Sequence, residues 1–309
     1  EGGPMKRTGG TGMGGDGNVG RAIVITGAST GIGEASAREF DRLGYRVFAG
    51  VRSDDAAHRL REGTSDRMTP IRIEVTDPES LREAVALVDD VVGEQGVHAL
   101  LCNAGLVVAS PWELVPLEDL RNLYEVNVFG TVSTFQAFLP ALRRSAERNP
   151  DRYTSRIVIT GSVSGRCVPA YIGPYASSKH ALEGIADALR IELRRWRIGV
   201  SLLEPGAVRT PIWGKAHSTT RERMERPEVA NRTTLYDQDI EQVFRVTAES
   251  RDHGMDVSEI TRRMVHAVTS ASPKTRYPIG RHIGLAIRLR RWLPDRLWDR
   301  ILMREMGLK

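Results

Sequence analysis

Tyr175 and Lys179 are the pair of side chains in this sequence that most clearly suggests chemistry. They stand four residues apart in the segment Tyr-Ala-Ser-Ser-Lys, a spacing that places both side chains on one face of a helix. An isolated tyrosine has a pKa near ~10 and is a poor base at neutral pH. A cation about one turn away favours the phenolate, so we expect Lys179 to lower the pKa of Tyr175 and make it a general acid/base.

Ser162 lies thirteen residues before Tyr175, in the segment Ile-Thr-Gly-Ser at the end of a predicted strand. Open α/β sheets bind their ligands at the carboxyl ends of strands. A serine hydroxyl at that place can hydrogen-bond a substrate carbonyl. Ser164 is a nearby alternative, but the spacing favours Ser162.

A glycine-rich turn follows the first predicted strand and opens the first predicted helix, over residues 26–33. Gly27 permits a tight turn, Gly31 lets the backbone approach a pyrophosphate, and Gly33 lets helix and strand pack closely. The helix N-terminus then offers unpaired N–H groups to the anion. The turn therefore predicts a dinucleotide site.

Arg52 follows the second predicted strand, where the cofactor is selected. An NAD site places a carboxylate there for the ribose hydroxyls, whereas an NADP site places a cation for the 2′-phosphate. Val51 occupies the position of the acid, and the guanidinium of Arg52 matches phosphate geometry. We expect NADP(H) to be favoured over NAD(H), although Asp54 and Asp55 keep NAD as an alternative.

Short apolar runs alternate with helical patterns along most of the chain. Such alternation predicts βαβ units and a parallel sheet covered on both faces. We therefore expect an α/β fold, a single Rossmann-type doubly wound domain with a mainly parallel seven-stranded sheet. The predicted strands are 22–25, 46–51, 71–75, 98–102, 156–160, 199–203 and 276–279, and the predicted helices are 31–43, 78–92, 117–142, 174–196 and 257–268.

Composition excludes several classes of protein. Of 309 residues, 40% are hydrophobic and 27% charged, which argues against a disordered chain. Cys102 and Cys167 alone cannot build a disulfide scaffold or a Cys-based zinc finger, and the histidines show no metal-ligand pattern. The formal net charge of +5 is small, and acidic residues are mixed among the basic ones along the chain, so we do not expect nucleic-acid binding. We also expect no metal, because the cysteines and histidines show no ligand pattern. With no apolar leader and no spanning segment, we expect a cytoplasmic protein.

We expect the chain to consist of three segments. Residues 1–20 hold nine glycines and predict a flexible arm whose first residues derive from cloning. Residues 21–280 form the domain, including a polar, variable substrate lid at about 211–256. Residues 281–309 form a basic amphipathic tail, which either contacts an anionic membrane surface weakly or packs on the protein, and Pro294 must divide any helix there.

Taken together, these motifs resemble those of the short-chain dehydrogenase/reductase family, and their residues are most similar to its steroid and retinol dehydrogenase-like branch. The resemblance covers roughly residues 21–213. It includes the glycine turn, Asn103-Ala104-Gly105 after the fourth strand, Asn127, Ser162, the Tyr175/Lys179 pair, and the segment 204–210 with the later Arg276-Tyr277-Pro278.

The resemblance implies a role for each motif. Tyr175 is the general acid/base, Lys179 binds the nicotinamide ribose, and Ser162 polarises the substrate carbonyl. Asn127 holds a water for proton relay. Glu74 stands where the family usually has an aspartate facing the adenine, which leaves that contact in doubt. The implied cofactor residues are Gly27, Ser29, Thr30, Gly31, Ile32, Gly33, Arg52, Glu74, Val75, Asn103, Ala104, Gly105, Tyr175, Lys179, Pro205, Gly206, Val208 and Thr210.

The resemblance implies an oxidoreductase that interconverts a lipophilic secondary alcohol and a ketone by direct hydride transfer. It also implies a homodimer or homotetramer assembled through the helices that carry Asn127 and Tyr175. Two alternatives remain, a non-catalytic NADP-binding sensor and an NAD-preferring dehydrogenase of the same family.

Overall fold

A seven-stranded parallel sheet organises the protein. The computed structural model describes residues 20–148, 155–210, 235–252 and 254–308, with the single residues Gly214, Glu222 and Thr233. Its strands are β1 (Ala22–Ile25), β2 (Arg46–Val51), β3 (Met68–Arg72), β4 (Ala99–Cys102), β5 (Ser155–Thr160), β6 (Ile198–Pro205) and β7 (Arg276–Ile279). They lie side by side in the order β3-β2-β1-β4-β5-β6-β7, which confirms the predicted fold class.

Helices cover both faces of this sheet. They are α1 (Gly31–Arg42), α2 (Asp54–Arg61), α3 (Pro78–Val92), α4 (Leu117–Tyr124), α5 (Gly130–Glu147), α6 (Gly173–Glu192), α7 (Asp237–Asp252), α8 (Val257–Thr269), α9 (Ile283–Trp292) and α10 (Asp295–Glu305). Along β1, Ala22 and Val24 pack with α3, α5 and α6, while Ile23 and Ile25 pack with α1, α2 and α8. Because successive side chains of a strand point to opposite faces, a strand buried on both faces is apolar throughout.

The strand order reverses between β1 and β4. From β1 the chain proceeds outward to β2 and β3, then returns to place β4 on the other side of β1. The connections leaving β1 and β4 therefore diverge and open a crevice at the carboxyl ends of these strands. This is the position at which the glycine turn and Asn103 both emerge.

The third strand lies three residues earlier than predicted. Its ladder with β2 runs from the pair Val47 and Met68 to the pair Val51 and Arg72. Ile73 and Val75, which carried the prediction, are buried beyond the end of the ladder. Burial that continues past the end of the strand thus produced the apolar pattern that we interpreted as the strand itself.

The long helix predicted over 117–142 is interrupted. Helix α4 ends at Tyr124, and residues Glu125–Phe129 form a wider π-helical turn before α5 begins at Gly130. Such turns insert one residue per turn and are frequent at functional sites. This turn contains Asn127, whose side chain it directs towards the loop after β4.

The structure describes the predicted arm, lid and tail to different extents. About half of the predicted lid at 211–256 lies outside the described residues, and α7 occupies most of its described part. Residues 1–19 of the predicted arm also lie outside. In the tail, Pro294 separates α9 from α10, as expected of a residue that cannot continue a helix.

Candidate active site

The glycine turn between β1 and α1 adopts a conformation that requires its glycines. Gly27 has a φ of +66°, and a Cβ there would lie 2.8 Å from the Cα of Ala104. A Cβ on Gly33 would lie 2.2 Å from the carbonyl oxygen of Gly27. Thr30 is the residue before α1, and among the described residues its side chain makes no capping hydrogen bond to the helix. The first N–H groups of α1 are therefore open to an anion. These features fit a dinucleotide pyrophosphate.

A cleft of about 420 Å³ runs along the carboxyl ends of the strands. It is lined by most of the residues predicted to form the site, and Gly33 and Asn127 are the two predicted residues that lie behind its wall. The predicted residues that line it are Gly27, Ser29, Thr30, Gly31, Ile32, Arg52, Glu74, Val75, Asn103, Ala104, Gly105, Ser162, Tyr175, Lys179, Pro205, Gly206, Val208 and Thr210.

Tyr175 and Lys179 lie on the first turns of α6, where the helix borders the cleft. The Nζ atom of Lys179 is 5.7 Å from the centre of the Tyr175 ring. The same ammonium donates a 2.8 Å hydrogen bond to the carbonyl oxygen of Thr160, the last residue of β5. Ser162 follows β5 at once and hydrogen-bonds Tyr175 through its side chain. The three predicted groups therefore meet at one place.

Burial sets the direction of both pKa values at this place. It raises the pKa of Tyr175 to about 12, and the hydrogen bond with Ser162 opposes that rise. Burial also lowers the pKa of Lys179 to about 8, because the ammonium has left water. Burial is the larger of the two causes that act on the pKa of Tyr175 and neither involves Lys179, so the expectation that Lys179 lowers this pKa stays a prediction.

Asn127 acts on the loop after β4 from behind the cleft. Its side-chain oxygen accepts a 2.8 Å hydrogen bond from the N–H of Leu106, and its amide donates a 3.0 Å bond to the Leu106 carbonyl. The amide also donates to the hydroxyl of Ser178 on α6. The side chain is fully buried, so it joins the π-helical turn, the cleft loop and the helix that carries Tyr175.

Asn103 connects the ends of three strands. Its amide donates to the carbonyl oxygens of Thr26 and Gly27 at 3.2 Å each, and its side-chain oxygen accepts a 3.2 Å bond from the Thr160 hydroxyl. These bonds hold the glycine turn against β4 and β5. Asn103 therefore ties the ends of these strands together beneath the cleft.

Arg52 reaches the cleft at the end of β2. Its guanidinium lies 3.7 Å from a carboxylate oxygen of Glu74, and its side chain is 75% exposed. The residues that line the cleft include Arg52 and Glu74, whereas Asp54 and Asp55 lie in the first turn of α2 and are not among them. An exposed guanidinium thus lies at this end of the cleft, paired with one carboxylate.

The segment after β6 closes the cleft opposite α1. Val208 forms a bridge with Met255, and the N–H of Gly206 donates a 3.0 Å bond to the Ile279 carbonyl. The methyl of Thr210 lies 3.4 Å from the place of a Cβ on Gly31. The segment after β6 is therefore held by Met255, by β7 and by the glycine turn.

A family model described as short chain dehydrogenase matches residues 21–221. The chain belongs to this family. It is accordingly an oxidoreductase that acts on CH–OH groups and their ketones with a nicotinamide cofactor, as the motifs predicted.

Named relatives match nearly the whole chain. An NADPH-dependent 3-dehydrocapnine reductase of Ornithobacterium rhinotracheale is 32% identical over 286 residues, which cover 93% of this chain and 97% of the relative. The 17-beta-hydroxysteroid dehydrogenase type 6 of Homo sapiens is 31% identical, over 92% of this chain and 88% of its own. The second relative agrees with the predicted steroid dehydrogenase-like branch.

The fold also has a solved counterpart. A short-chain dehydrogenase/reductase from Burkholderia phymatum, solved in complex with NAD, superposes with a TM-score of 0.71 and 23% identity. The superposition covers 88% of this chain and 93% of that one. It establishes the doubly wound fold for this short-chain dehydrogenase.

An ionic cluster that sequence reasoning missed lies behind α6. Arg276 of β7 donates a 2.9 Å bond to Glu183 of α6 and lies 3.9 Å from Glu204 at the end of β6. Arg166, which follows Ser162, lies 3.3 Å from Glu183 and 3.4 Å from Glu204. Burial and the charge of Glu183 raise the pKa of Glu204 to about 7. The motif residues Glu204 and Arg276 thus meet in one buried cluster.

Further residues of the site were also missed. Thr26 accepts hydrogen bonds from the N–H groups of Asn103 and Ala104 through its hydroxyl, and Thr160 holds Lys179. Both stand at or just beyond the end of a strand, and that position was their signal in the sequence. The other missed residues that line the cleft are Gly50, Ile73, Leu106, Val107, Asn122, Val126 and Gly161.

Metal ligands and membrane spans were searched within the described part of the chain. No three metal-ligating side chains gather there. No helix among those residues has the length and apolar character needed to cross a bilayer.

Proposed function

We propose that this chain is an NADP(H)-dependent oxidoreductase that interconverts a lipophilic secondary alcohol and its ketone, with Tyr175 as the general acid/base. The observation that carries the proposal is the meeting of Tyr175, Lys179 and Ser162 in the cleft that the glycine turn also lines. Binding of a dinucleotide and proton transfer then take place in one crevice.

The chain's own groups supply the proton chemistry. In reduction, the Ser162 hydroxyl holds the substrate oxygen while the Tyr175 hydroxyl gives its proton to it; in oxidation both steps reverse. A tyrosine whose pKa is raised to about 12 is protonated at neutral pH and is ready to donate. Lys179, anchored on the Thr160 carbonyl, places a cation beside the phenol when oxidation requires the phenolate.

The cofactor would lie between the glycine turn and the segment after β6. The open N–H groups of α1 and the close approach at Gly27 suit the pyrophosphate. When bound, the nicotinamide ring supplies or accepts the hydride. The protein's contribution to that step is position.

Arg52 supports the preference for NADP(H). Its guanidinium lies at the cleft end of β2, where a 2′-phosphate needs a fork of donors. The name of the Ornithobacterium relative, an NADPH-dependent reductase, points the same way. The Burkholderia structure contains NAD, so kinetics of an Arg52 variant with each cofactor decide between the two.

Apolar side chains beside Tyr175 support a lipophilic substrate. Val107, Ile172 and the Tyr175 ring form a buried cluster, and Leu106 and Val126 line the same cleft. A hydrocarbon skeleton gains free energy by leaving water for such a surface. The human relative is named as a hydroxysteroid dehydrogenase, and a steroid is a lipophilic substrate of this kind.

We also propose that the chain works in the cytoplasm as a homodimer or homotetramer on small molecules, without nucleic acid. Cys102 and Cys167 are both free thiols, which suits a reducing compartment. Exposed apolar side chains on the predicted assembly elements, Phe129 and Ile191, support self-association.

Turnover of Tyr175→Phe tests the catalytic assignment. Wild-type protein is assayed on a panel of lipophilic alcohols and ketones with NADPH and NADH in parallel. The variant should lose at least about 10²-fold in kcat because it lacks the transferable proton, while its cofactor affinity stays the same. Tyr171→Phe is the matched control, since the Tyr171 hydroxyl donates instead to Asp239, and it should retain turnover.

Two outcomes contradict the assignment. Unchanged turnover in Tyr175→Phe would remove the tyrosine from the reaction. Tight cofactor binding by the wild type without turnover of any panel member would favour the non-catalytic sensor.

A further inference from the structure

The C-terminal helix pair α9 and α10 concentrates the positive charge of the chain. Residues 281–308 hold seven arginines and three acidic residues, so this segment carries four of the chain's five net positive charges. The acids are Asp295, Asp299 and Glu305, and one of them, Asp295, pairs with Arg290 at 2.8 Å. The remaining arginines present a local field that attracts anions.

Helix α9 also presents a stripe of large apolar side chains to solvent. Leu285, Leu289 and Trp292 follow each other at i, i+4 and i+7 and are 50%, 41% and 79% exposed. Residues at this spacing share one helix face. The opposite side of α9 meets the protein, where Ile283 contacts the backbone at Gly206 and Gly280. The helix is therefore held by one side and leaves an apolar side open.

Both helices also carry exposed arginines. Arg288 and Arg291 are exposed on α9, and Arg296, Arg300 and Arg304 are exposed on α10. Trp298 of α10 is buried against the protein, as is Met306 just after the helix, so the arginines of α10 lie on its outer side. Apolar rings and chains bordered by cations form the pattern of a helix that lies in the interface of an anionic lipid layer.

We propose that α9 and α10 form a docking surface for an anionic lipid layer, in which Leu285, Leu289 and Trp292 enter the headgroup region between arginine–phosphate contacts. A second copy of the chain suits this surface less well. A two-fold interface would place one arginine cluster near the same cluster of the partner, and the like charges would repel. A polyanion without hydrocarbon would leave the apolar stripe in water.

Docking would bring the cleft close to the lipid. Ile283, the first residue of α9, packs on Gly206, which lines the cleft. A lipophilic substrate could then pass from the lipid layer to the site without crossing bulk water. This consequence, unlike the docking itself, rests on the proposed function.

Flotation with vesicles tests the docking. The full chain is mixed with phosphatidylcholine vesicles that contain either no phosphatidylglycerol or 30 mol% of it, at about 0.1 M salt. We expect binding to the anionic vesicles, at least tenfold weaker binding to the neutral ones, and loss of binding as salt rises. The triple variant Leu285→Ser/Leu289→Ser/Trp292→Ser should bind the anionic vesicles at least tenfold less tightly, as should Arg288→Gln/Arg291→Gln. All five side chains are exposed, so folding should be retained.

A matched control removes apolar side chains elsewhere. Leu87 and Val91 on α3 are 43% and 45% exposed, and the double change Leu87→Ser/Val91→Ser should leave vesicle binding unchanged. No binding of the wild type to anionic vesicles, or equal binding by the triple variant, would overturn the docking surface. So would a wild-type oligomer that the triple variant dissociates, since the stripe would then cover a second copy.

The docking proposal and the proposed function can be refuted independently of each other. Turnover of a short, water-soluble ketone should be the same in the wild type and the triple variant, because the changed residues lie outside the cleft. A wild-type protein that turns over a substrate but does not bind anionic vesicles would refute the docking proposal alone. A chain that binds vesicles and reduces no panel member would refute the proposed function alone.

Discussion

Among single residues, Arg52 is the one that we expect to set the preference between NADPH and NADH. Its guanidinium borders the cleft with Glu74 as an acidic neighbour at 3.7 Å. We expect Arg52→Ala to raise KM for NADPH by about tenfold or more, because a charge-assisted hydrogen bond contributes roughly 1.5–3 kcal/mol. KM for NADH should change by less than about twofold. Steady-state kinetics with each cofactor on one substrate measure both values.

Arg61→Ala is the matched control for Arg52→Ala. Arg61 is exposed in the last turn of the neighbouring helix α2 and is not among the residues that line the cleft. Its replacement should leave both KM values unchanged. An equal loss for the two cofactors in Arg52→Ala would contradict the assignment to a 2′-phosphate.

Glu204 predicts a dependence of stability on pH. Its pKa in the folded protein is raised to about 7, above the roughly 4.3 of an unfolded glutamate. The folded state therefore binds the proton more tightly, so this group's contribution to stability is greatest below the unfolded pKa. That contribution falls as pH rises from about 4.3 to about 7. The matching measurement is the free energy of unfolding across this range.

Glu204→Gln isolates that contribution. Glutamine keeps the shape and does not titrate, so the variant's free energy of unfolding should fall less steeply between pH 5 and 7 than that of the wild type, whatever its absolute value. Parallel curves for the two proteins would assign the slope to other groups. Asp187 is not one of them, because its arginine partners lower its pKa to about 2, outside the range.

Residues that act through local spacing could be predicted from the sequence, whereas their partners could not. Tyr175 and Lys179 are one helical turn apart, a relation visible in the sequence itself. The carbonyl that holds Lys179 belongs to Thr160, nineteen residues earlier, and Glu204 meets Arg276 only because β6 and β7 pair. Burial, which sets the pKa of Tyr175, is likewise a property of the folded state.

At the scale of elements, Gly33 joins α1 to the end of β1. A Cβ there would lie 2.2 Å from the Gly27 carbonyl and 2.6 Å from the Asn103 amide, and neither atom can move without disturbing the turn. We expect Gly33→Ala to destabilise the protein by about 1–3 kcal/mol, the usual cost of overpacking. It should also weaken cofactor binding severalfold. Thermal denaturation and cofactor titration measure the two effects.

Gly184→Ala is the control, because Gly184 lies inside α6 with nothing within 4 Å of its Cβ position. Alanine there should stabilise the protein by about 0.5–1 kcal/mol through its better helix propensity. Cofactor affinity should stay at the wild-type value. A Gly33→Ala protein as stable as the wild type would show that α1 can shift away from β1 at little cost.

Most strands and helices could be predicted from hydrophobic patterns, and the exceptions have physical causes. The bounds of β1, β2, β7 and α3 are those predicted, since apolar runs bounded by turn residues mark them. The strand β3 was misplaced because Ile73 and Val75 are buried beyond the end of the strand ladder. The π-helical turn around Asn127 has the same apolar spacing as the α-helices beside it, so periodicity cannot distinguish them.

For the whole molecule, strand order is what assembles the site. The cleft takes residues from the ends of β1, β2, β4, β5 and β6, which are distant in the sequence and adjacent in the sheet. A ligand bound there contacts elements of both layers at once. Binding must therefore stabilise the molecule as a unit and not one helix alone.

This linkage predicts a thermal shift that depends on the cofactor. A ligand at 100 times its Kd adds about 2.7 kcal/mol to the free energy of unfolding. For a chain of this size that raises Tm by roughly 5–10 °C, at about 2–4 °C per kcal/mol. At equal concentrations NADP⁺ should give the larger rise, and Arg52→Ala should reduce the rise with NADP⁺ to that seen with NAD⁺. An equal or larger rise with NAD⁺ in the wild type would instead assign the cleft to NAD.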